Sequence, residues 1–242
     1  MDTRHYDVMY ENESTHWWYR VRREIIFSLL SSIAKKRGEP LRILEVGCGT
    51  GTLLKEIDCF GSVRGIDISP YAIAYCEERG LTNVTVGDAA QIPFPDESFD
   101  VVIALDVLEH LKDDTIGCRE IIRVLSPEGT AIIAVPAFMF LWGVTDVVSH
   151  HFRRYTRRQI VSCILKAGFI IDRATYFNIF LFLPIAMVRL GVRVLSITMR
   201  SENTITGRCT NAILYRVFRS ESLLLRYFNF PFGVSILITA NK

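Results

Sequence analysis

Three closely spaced glycines form the segment of this sequence that is best suited to bind a small ligand. Gly47, Gly49 and Gly51 lie in LRILEVGCGTG, directly after an apolar run and before a helix expected to begin near Thr52. Glycines at such a junction let the backbone approach a ligand closely at a helix N-terminus. The loop therefore suits a nucleotide-like cofactor.

The spacing of these glycines excludes two commoner nucleotide sites. A dinucleotide fingerprint has its third glycine three residues after the second, and here that position is Thr52. A phosphate-binding P-loop ends in Gly-Lys-Ser/Thr, whereas this loop reads Gly-Thr-Gly-Thr. The spacing therefore disfavours both NAD binding and phosphate transfer.

Acidic residues at the ends of the predicted strands indicate which nucleoside would fit. Asp67 follows the loop by about twenty residues, where a carboxylate accepts hydrogen bonds from both ribose hydroxyls. Glu45 is a poor neighbour for pyrophosphate but a good one for an ammonium group. Asp88 could accept a hydrogen bond from an adenine amino group, next to the backbone amide of Ala89. These charges favour a sulfonium nucleoside.

Strand and helix signals alternate along the chain. Short apolar runs predict five strands in LRILEVG, SVRGIDIS, NVTVGDA, VVIALDV and TAIIAVPA, and two more in IIDRATYF and GVSILITANK. Helical patterns between the first five imply right-handed crossovers. The expected fold class is α/β, a doubly wound, seven-stranded, mostly parallel Rossmann-like sheet with helices on both faces.

No linker divides the chain, so we expect a single domain over residues 1–242. Ser14 or Thr15 is expected to cap the N-terminal helix. The expected parts are an N-terminal helical lid (1–39), a Rossmann-like core (40–177 and 232–242) and a helical insertion before the last strand (178–231).

The insertion is basic and apolar. Residues 173–232 contain eight Arg, two Glu and neither Lys nor Asp, although the whole chain has a formal charge of only +2. This composition suits an anionic membrane surface better than nucleic acid. Its longest charge-free run, 174–188, is shorter than the roughly 20 residues that span a bilayer. We expect an interfacial helix pair; a substrate lid, a dimer interface and a cap on the domain's own core are the alternatives.

The six cysteines show no two-residue spacing of a zinc or redox site, and no secretory pattern precedes them. The sequence therefore indicates reduced thiols, no metal site and a cytoplasmic protein, with peripheral contact to the inner face of the membrane. It does not distinguish a monomer from a homodimer.

Four segments together resemble the class I S-adenosylmethionine-dependent methyltransferases of the type 11/12 group. They are EVGCGTG, GIDIS, GDAAQIPFPDESFDVV and ALDVLEHL, within residues 41–135. The resemblance implies S-adenosyl-L-methionine as cofactor and S-adenosyl-L-homocysteine as product. It also adds four residues to the expected cofactor pocket: Cys48, Ile68, Leu105 and Asp106.

Two further segments resemble a subgroup that is similar to methyltransferases of quinone precursors. They are His16-Trp17-Trp18-Tyr19 and the His-x-Arg-Arg-Tyr-Thr segment that begins at His151. Many members of that subgroup belong to cell-envelope or lipid-linked saccharide pathways. The implied acceptor is a small, hydrophobic or lipid-linked molecule. A noncatalytic cofactor-binding or scaffold protein at a membrane surface is the alternative.

Methyl transfer from a sulfonium is an in-line displacement, which needs a base only when the nucleophile is a hydroxyl or an acidic carbon. His110, His150 and His151 follow predicted strands and are the candidate bases. For His150 and His151 the alternative is a solvated loop position or a cap of the next helix. For His110 it is a segment that the resemblance implies is shared by family members with different chemistry.

Aromatic and basic residues supply the candidate substrate contacts. Trp17 and Trp18 could close over the sulfonium, or they could simply pack the N-terminal helix on the sheet. Arg153, Arg154 and Tyr155 are expected to bind a polar or anionic group of the substrate.

Overall fold

The computed structural model describes residues 3–194 and 207–242, and its described strands form one sheet. The sheet order is β3-β2-β1-β4-β5-β7-β6. β7 runs antiparallel to β5 and β6, and the other described pairs are parallel. The sheet confirms the predicted doubly wound, mostly parallel α/β fold. The strands are β1 (Leu41–Val46), β2 (Gly61–Asp67), β3 (Val84–Val86), β4 (Phe99–Leu105), β5 (Leu125–Pro136), β6 (Ile170–Phe177) and β7 (Ser235–Asn241).

Helices cover both faces of this sheet because successive strand residues point to opposite sides. Val102 of β4 packs in a core with helices α5 and α7, and the next residue, Ile103, packs in a second core with α2, α3, α4 and α9. The helices are α1 (Thr3–Asn12), α2 (Trp17–Arg37), α3 (Thr52–Ile57), α4 (Pro70–Glu78), α5 (Asp114–Val124), α6 (Val144–Val148), α7 (Arg157–Lys166), α8 (Phe182–Val194) and α9 (Arg208–Leu225).

The central strand β1 pairs with β2 on one side and with β4 on the other. The chain reverses its direction of winding between these neighbours, which leaves a crevice outside the carboxyl ends of the strands. Glu45 of β1 and Leu105 of β4 therefore lie at the place where an open α/β sheet binds its ligand.

The N-terminal region differs from the prediction in one respect. Residues 3–12 form a separate helix, α1, and residues 13–15 complete its end, with the Thr15 amide donating to Asn12 O at 3.0 Å. The cap of α2 is therefore His16, whose Nδ1 accepts from the Trp18 amide at 3.3 Å, and the predicted caps Ser14 and Thr15 are wrong.

Between β6 and β7 the structure contains α8 and α9, as the predicted insertion requires. Residues 195–206 of that insertion lie outside the described residues. Within residues 3–194 and 207–242, no helix is long and apolar enough to cross a membrane.

A buried carboxylate attaches α9 to the end of the sheet. Glu221 is fully buried and accepts hydrogen bonds from the backbone amides of Asn178, Ile179 (2.7 Å) and Phe180 (3.1 Å). Glu221→Leu removes the acceptor for all three, and each buried donor left unsatisfied costs about 1–3 kcal/mol. We expect urea denaturation to show a loss of about 3 kcal/mol or more in the free energy of unfolding. Glu221→Gln, which keeps one carbonyl oxygen, should lose less; equal stability of all three proteins would contradict this role.

Candidate cofactor and acceptor site

The glycine loop is held against β2 by backbone hydrogen bonds. The amides of Gly47 and Cys48 both donate to Ile66 O, at 2.8 and 2.9 Å. Gly51 has φ 82° and forms the N-cap of α3, so it serves the turn and the packing rather than the cavity surface. The loop is thereby fixed at the carboxyl edge of the sheet.

Asp67, at the end of β2, is the polar centre of this loop. Its carboxylate accepts hydrogen bonds from the amides of Gly49 (3.0 Å) and Ser69 (2.9 Å) and from the hydroxyl of Tyr6 (3.3 Å). Burial raises the pKa of Asp67, and these donors partly oppose the rise. An acceptor held in this way can bind vicinal hydroxyl groups.

Glu45 is a second carboxylate at this edge, and it is 5% exposed. Its Oε2 accepts no hydrogen bond from the residues that the structure describes. Burial raises the pKa of Glu45 well above its usual value, and the nearby Cys76 and Glu13 add to the rise. A positively charged ligand group would satisfy this oxygen and restore its charge.

The two N-terminal helices lie over the loop; the sequence predicts a helical lid at 1–39 but none of the contacts that hold it there. Glu13 accepts hydrogen bonds from the Thr50 hydroxyl and from Arg79 Nη2, the latter at 2.9 Å. Arg22 of α2 pairs with Asp106, and Met9 of α1 lies against Gly49. These contacts join distant parts of the chain, so no local pattern could reveal them.

One cavity of about 1250 Å³ extends from the glycine loop to the insertion helices α8 and α9. Its volume exceeds the roughly 300–1,000 Å³ of a typical ligand pocket, so it can hold two ligands side by side. Most of the predicted cofactor residues line it: Glu45, Gly47, Cys48, Gly49, Asp67, Ile68, Asp88, Ala89, Leu105 and Asp106.

Three histidines predicted as bases, His110, His150 and His151, also line this cavity. The rings of His110 and His151 meet edge to face with centroids 4.6 Å apart. His151 Nε2 lies 4.0 Å from Oε1 of Glu109, a fully buried residue that sequence reasoning did not select. Burial and the nearby Asp106 raise the pKa of Glu109.

A buried ion pair positions His151. Asp146 Oδ1 lies 2.8 Å from His151 Nδ1 and 2.8 Å from Arg154 Nε, and its Oδ2 accepts from the Gly143 amide at 2.7 Å. Burial alone would raise the pKa of Asp146, but the hydrogen bond from His151 and the charge of Arg154 outweigh it and lower that pKa to about 2. His151 is therefore held with its Nε2 directed away from Asp146.

The predicted substrate-binding residues divide into two groups. Trp17, Trp18 and Arg154 line the cavity. Trp18 also stacks on Phe177 with ring centroids 5.8 Å apart, as its packing alternative expects. Arg153 and Tyr155 instead contact Asp114, at 3.1 and 2.9 Å.

Residues 44–133 match a protein family described as a methyltransferase domain. Over 159 residues, the chain is 30% identical to a protein of Mycobacterium tuberculosis named probable S-adenosylmethionine-dependent methyltransferase, covering 64% of this chain and 56% of that one. Over residues 44–133 this chain is therefore similar to S-adenosylmethionine-dependent methyltransferases. It spans a little over half the length of this curated relative.

Two further proteins are similar to this chain. The chain is 36% identical over 98 residues to the 2-methyl-6-phytyl-1,4-hydroquinone methyltransferase of Synechocystis, covering 38% of this chain and 31% of that one. A crystal structure of a SAM-dependent methyltransferase from Archaeoglobus fulgidus has the same fold, with a TM-score of 0.56 at 18% identity over 91% of this chain and 94% of that one. The family implies S-adenosylmethionine as the cofactor.

The residues of this site fit that cofactor. The unpartnered Glu45 oxygen matches the ammonium of its methionine part, and the buried acceptor Asp67 matches a ribose. A Cβ atom at Gly49 would lie 2.6 Å from the Met9 methyl carbon, and φ 54° is strained for other residues. The positive φ therefore favours glycine at this position, and a glycine backbone allows a ligand to approach closely.

Proposed function

We propose that this protein transfers a methyl group from S-adenosylmethionine to a small hydrophobic acceptor with a polar head and a long apolar part. The observation that carries the proposal is the continuity of the cavity. It joins the glycine loop, the histidines behind β4 and the apolar walls of the insertion without a break.

The cofactor, when bound, supplies an electrophilic methyl group. The chain's own residues then bind and orient: Asp67 holds the ribose hydroxyls and Glu45 the ammonium group, while Asp88 and Ala89 face the adenine. The pair of Arg22 and Asp106 lines the cavity, and we assign to it the exclusion of water from the reacting atoms. Such positioning is the main contribution that a protein makes to an in-line displacement.

The far end of the cavity supports the apolar part of the acceptor. Ile185, Val188 and Val192 of α8 and Leu214 of α9 line it, with little polar surface among them. Apolar walls of this kind favour a ligand chain rather than a sugar or a nucleotide. The relative from Synechocystis is named for a substrate that carries a phytyl group, which agrees with this choice.

Isotope transfer tests this proposal directly. The protein is incubated with labelled S-adenosylmethionine and a lipid extract, and mass spectrometry then finds the labelled product. We expect the label in an apolar molecule, and the product identifies both the acceptor and the methylated atom. S-adenosylhomocysteine binding without label transfer to any lipid would instead favour a noncatalytic scaffold.

We also propose that the protein takes its acceptor from an anionic membrane surface. Leu183, Met187 and Leu190 share one face of α8 and are 65%, 66% and 58% exposed. The exposed Arg216 of α9 supplies positive charge, as does Arg219, which also pairs with Glu24 at 3.4 Å. An exposed apolar helix face, together with exposed basic residues on the other helix of the insertion, is suited to the headgroup region of a bilayer.

The double variant Met187→Glu/Leu190→Glu is expected to weaken binding to anionic vesicles at least about tenfold. Burial of one such side chain contributes about 1.5–3 kcal/mol, and about 1.4 kcal/mol corresponds to a factor of ten in affinity. Co-sedimentation with phosphatidylserine vesicles measures the loss. Ile170→Glu is the matched control, because Ile170 is 68% exposed and lies at the start of β6, whereas α8 follows the end of that strand. Equal sedimentation of all three proteins, or binding indifferent to salt, would contradict membrane contact.

A further inference from the structure

Glu109, His110 and His151 form a cluster that sequence reasoning does not bring together, because His151 is far from the other two along the chain. Each offers one ligand atom, and the three atoms lie within 4.8 Å of one another. The backbone fixes this arrangement, since the Phe152 amide donates to Glu109 O at 2.8 Å and holds the segment of His151 against the 3₁₀ turn Leu108–His110.

The carboxylate of Glu109 lacks hydrogen-bond partners among the described residues. It is fully buried, and neither of its carboxylate oxygens accepts a hydrogen bond from the residues that the structure describes. A buried carboxylate without partners is costly unless a proton or a cation satisfies it. The nearby carboxylates of Asp106 and Asp146 raise the pKa of Glu109, and the charge of Arg154 opposes them, but Arg154 already pairs with Asp146.

His151 has the support that metal-bound histidines usually have. Its Nδ1 is 2.8 Å from the Asp146 carboxylate, so its Nε2 is the nitrogen that faces Glu109. A carboxylate behind a histidine fixes the ring orientation and increases the basicity of the ligating nitrogen. Here the Gly143 amide and Arg154 hold that carboxylate in turn.

We infer that Glu109, His110 and His151 bind one divalent transition-metal ion such as Zn²⁺. Two imidazole nitrogens and one carboxylate oxygen are a common donor set for this ion, with a fourth position left for another ligand. Metal–ligand bonds of about 2.1 Å place neighbouring ligand atoms about 3.4 Å apart, so small side-chain rotations suffice to close the site.

The site would also define the acceptor. His110 and His151 line the cavity beyond the cofactor loop, so a metal ion held by them would lie next to the space proposed for the acceptor. An oxygen of a phenol or enol that occupies the fourth position would be polarised and partly deprotonated. This role rests on the proposed function, whereas metal binding itself does not.

Titration with the metal alone tests the inference on the full chain after treatment with a chelator. We expect calorimetry to show one Zn²⁺ per chain, and Co²⁺ to give visible absorption bands of a nitrogen and oxygen site. Since loss of an outer-shell partner already costs about 10–100-fold in affinity, Glu109→Gln and His151→Ala should each weaken Zn²⁺ at least about 100-fold. His150→Ala is the matched control, because His150 lines the same cavity outside the cluster, and its affinity should not change.

S-adenosylhomocysteine binding by the same preparations shows that each variant is folded and separates the two proposals. If Glu109→Gln fails to fold, His110→Ala and His151→Ala decide the question. Absence of stoichiometric Zn²⁺ binding, or binding that survives both substitutions, would overturn the metal site and leave the methyltransferase proposal standing. A chain that binds Zn²⁺ but not S-adenosylhomocysteine would support the metal site and overturn the methyltransferase proposal.

Discussion

Asp67→Ala is expected to weaken the binding of S-adenosylhomocysteine at least about 100-fold. In the proposed binding mode its carboxylate accepts the ribose hydroxyls, and a hydrogen bond to a charged group contributes about 1.5–3 kcal/mol. Two such bonds are lost, and each 1.4 kcal/mol changes the affinity about tenfold. The variant also loses the acceptor of the Gly49 amide, so the loop itself becomes less ordered.

Isothermal titration calorimetry measures this loss, with thermal unfolding as the check on the fold. Asp58→Ala is the matched control, because Asp58 is exposed, lies after α3 and is absent from the cavity lining among the described residues. It should bind as tightly as the unchanged protein. An unchanged dissociation constant for Asp67→Ala would reject the assignment of the glycine loop to the nucleoside.

The cofactor half of the site could be predicted because its residues are close to one another in sequence. Glu45, the glycine loop and Asp67 belong to two consecutive strands and the turn between them, and parallel strands place their carboxyl ends together. Local spacing thus sufficed to place them at one edge of the sheet. The sheet could be predicted for the same reason, because the hydrophobic periods of strands and helices are local signals in the sequence.

The helical lid over that half was predicted as a segment, but its division into α1 and α2 and its contacts were not, because tertiary contacts hold α1 in place. Tyr10 stacks on Tyr75 of α4 with ring centroids 4.4 Å apart, and Arg79 lies over the Tyr10 ring. Partners about seventy residues away leave no periodic pattern near the N-terminus. The same limit explains the wrong cap. Ser14 and Thr15 are good cap residues, but they belong to the turn that ends α1, where the amides of Thr15 and His16 donate to Asn12 O.

The acceptor half was predicted only in fragments. His110 and His151 were selected separately as bases, whereas Glu109 resembles an ordinary solvated acid in the segment DVLEHL. Their proximity depends on how the chain between β5 and α7 returns over the end of β4. That return is built on Asp146 and Arg154, which are fully buried and 6% exposed respectively.

Arg154→Met is expected to lower the free energy of unfolding by about 3–5 kcal/mol. Removal of one member of a buried ion pair leaves the other charge uncompensated, and this is more costly than the pair itself is stabilising. Met keeps most of the volume of the arginine side chain, so a packing defect contributes little. Urea denaturation measures the loss.

The double variant Asp146→Asn/Arg154→Met separates the charge from the packing. Because it removes both charges, it should recover a large part of the stability that Arg154→Met alone loses. Substrate binding by Arg154 and support of His151 through Asp146 predict different results. If Arg154→Met is as stable as the unchanged protein but binds the acceptor more weakly, Arg154 contacts the substrate, as the sequence predicts. If stability falls and the double variant restores it, Arg154 acts through Asp146 by holding His151 at the cavity wall.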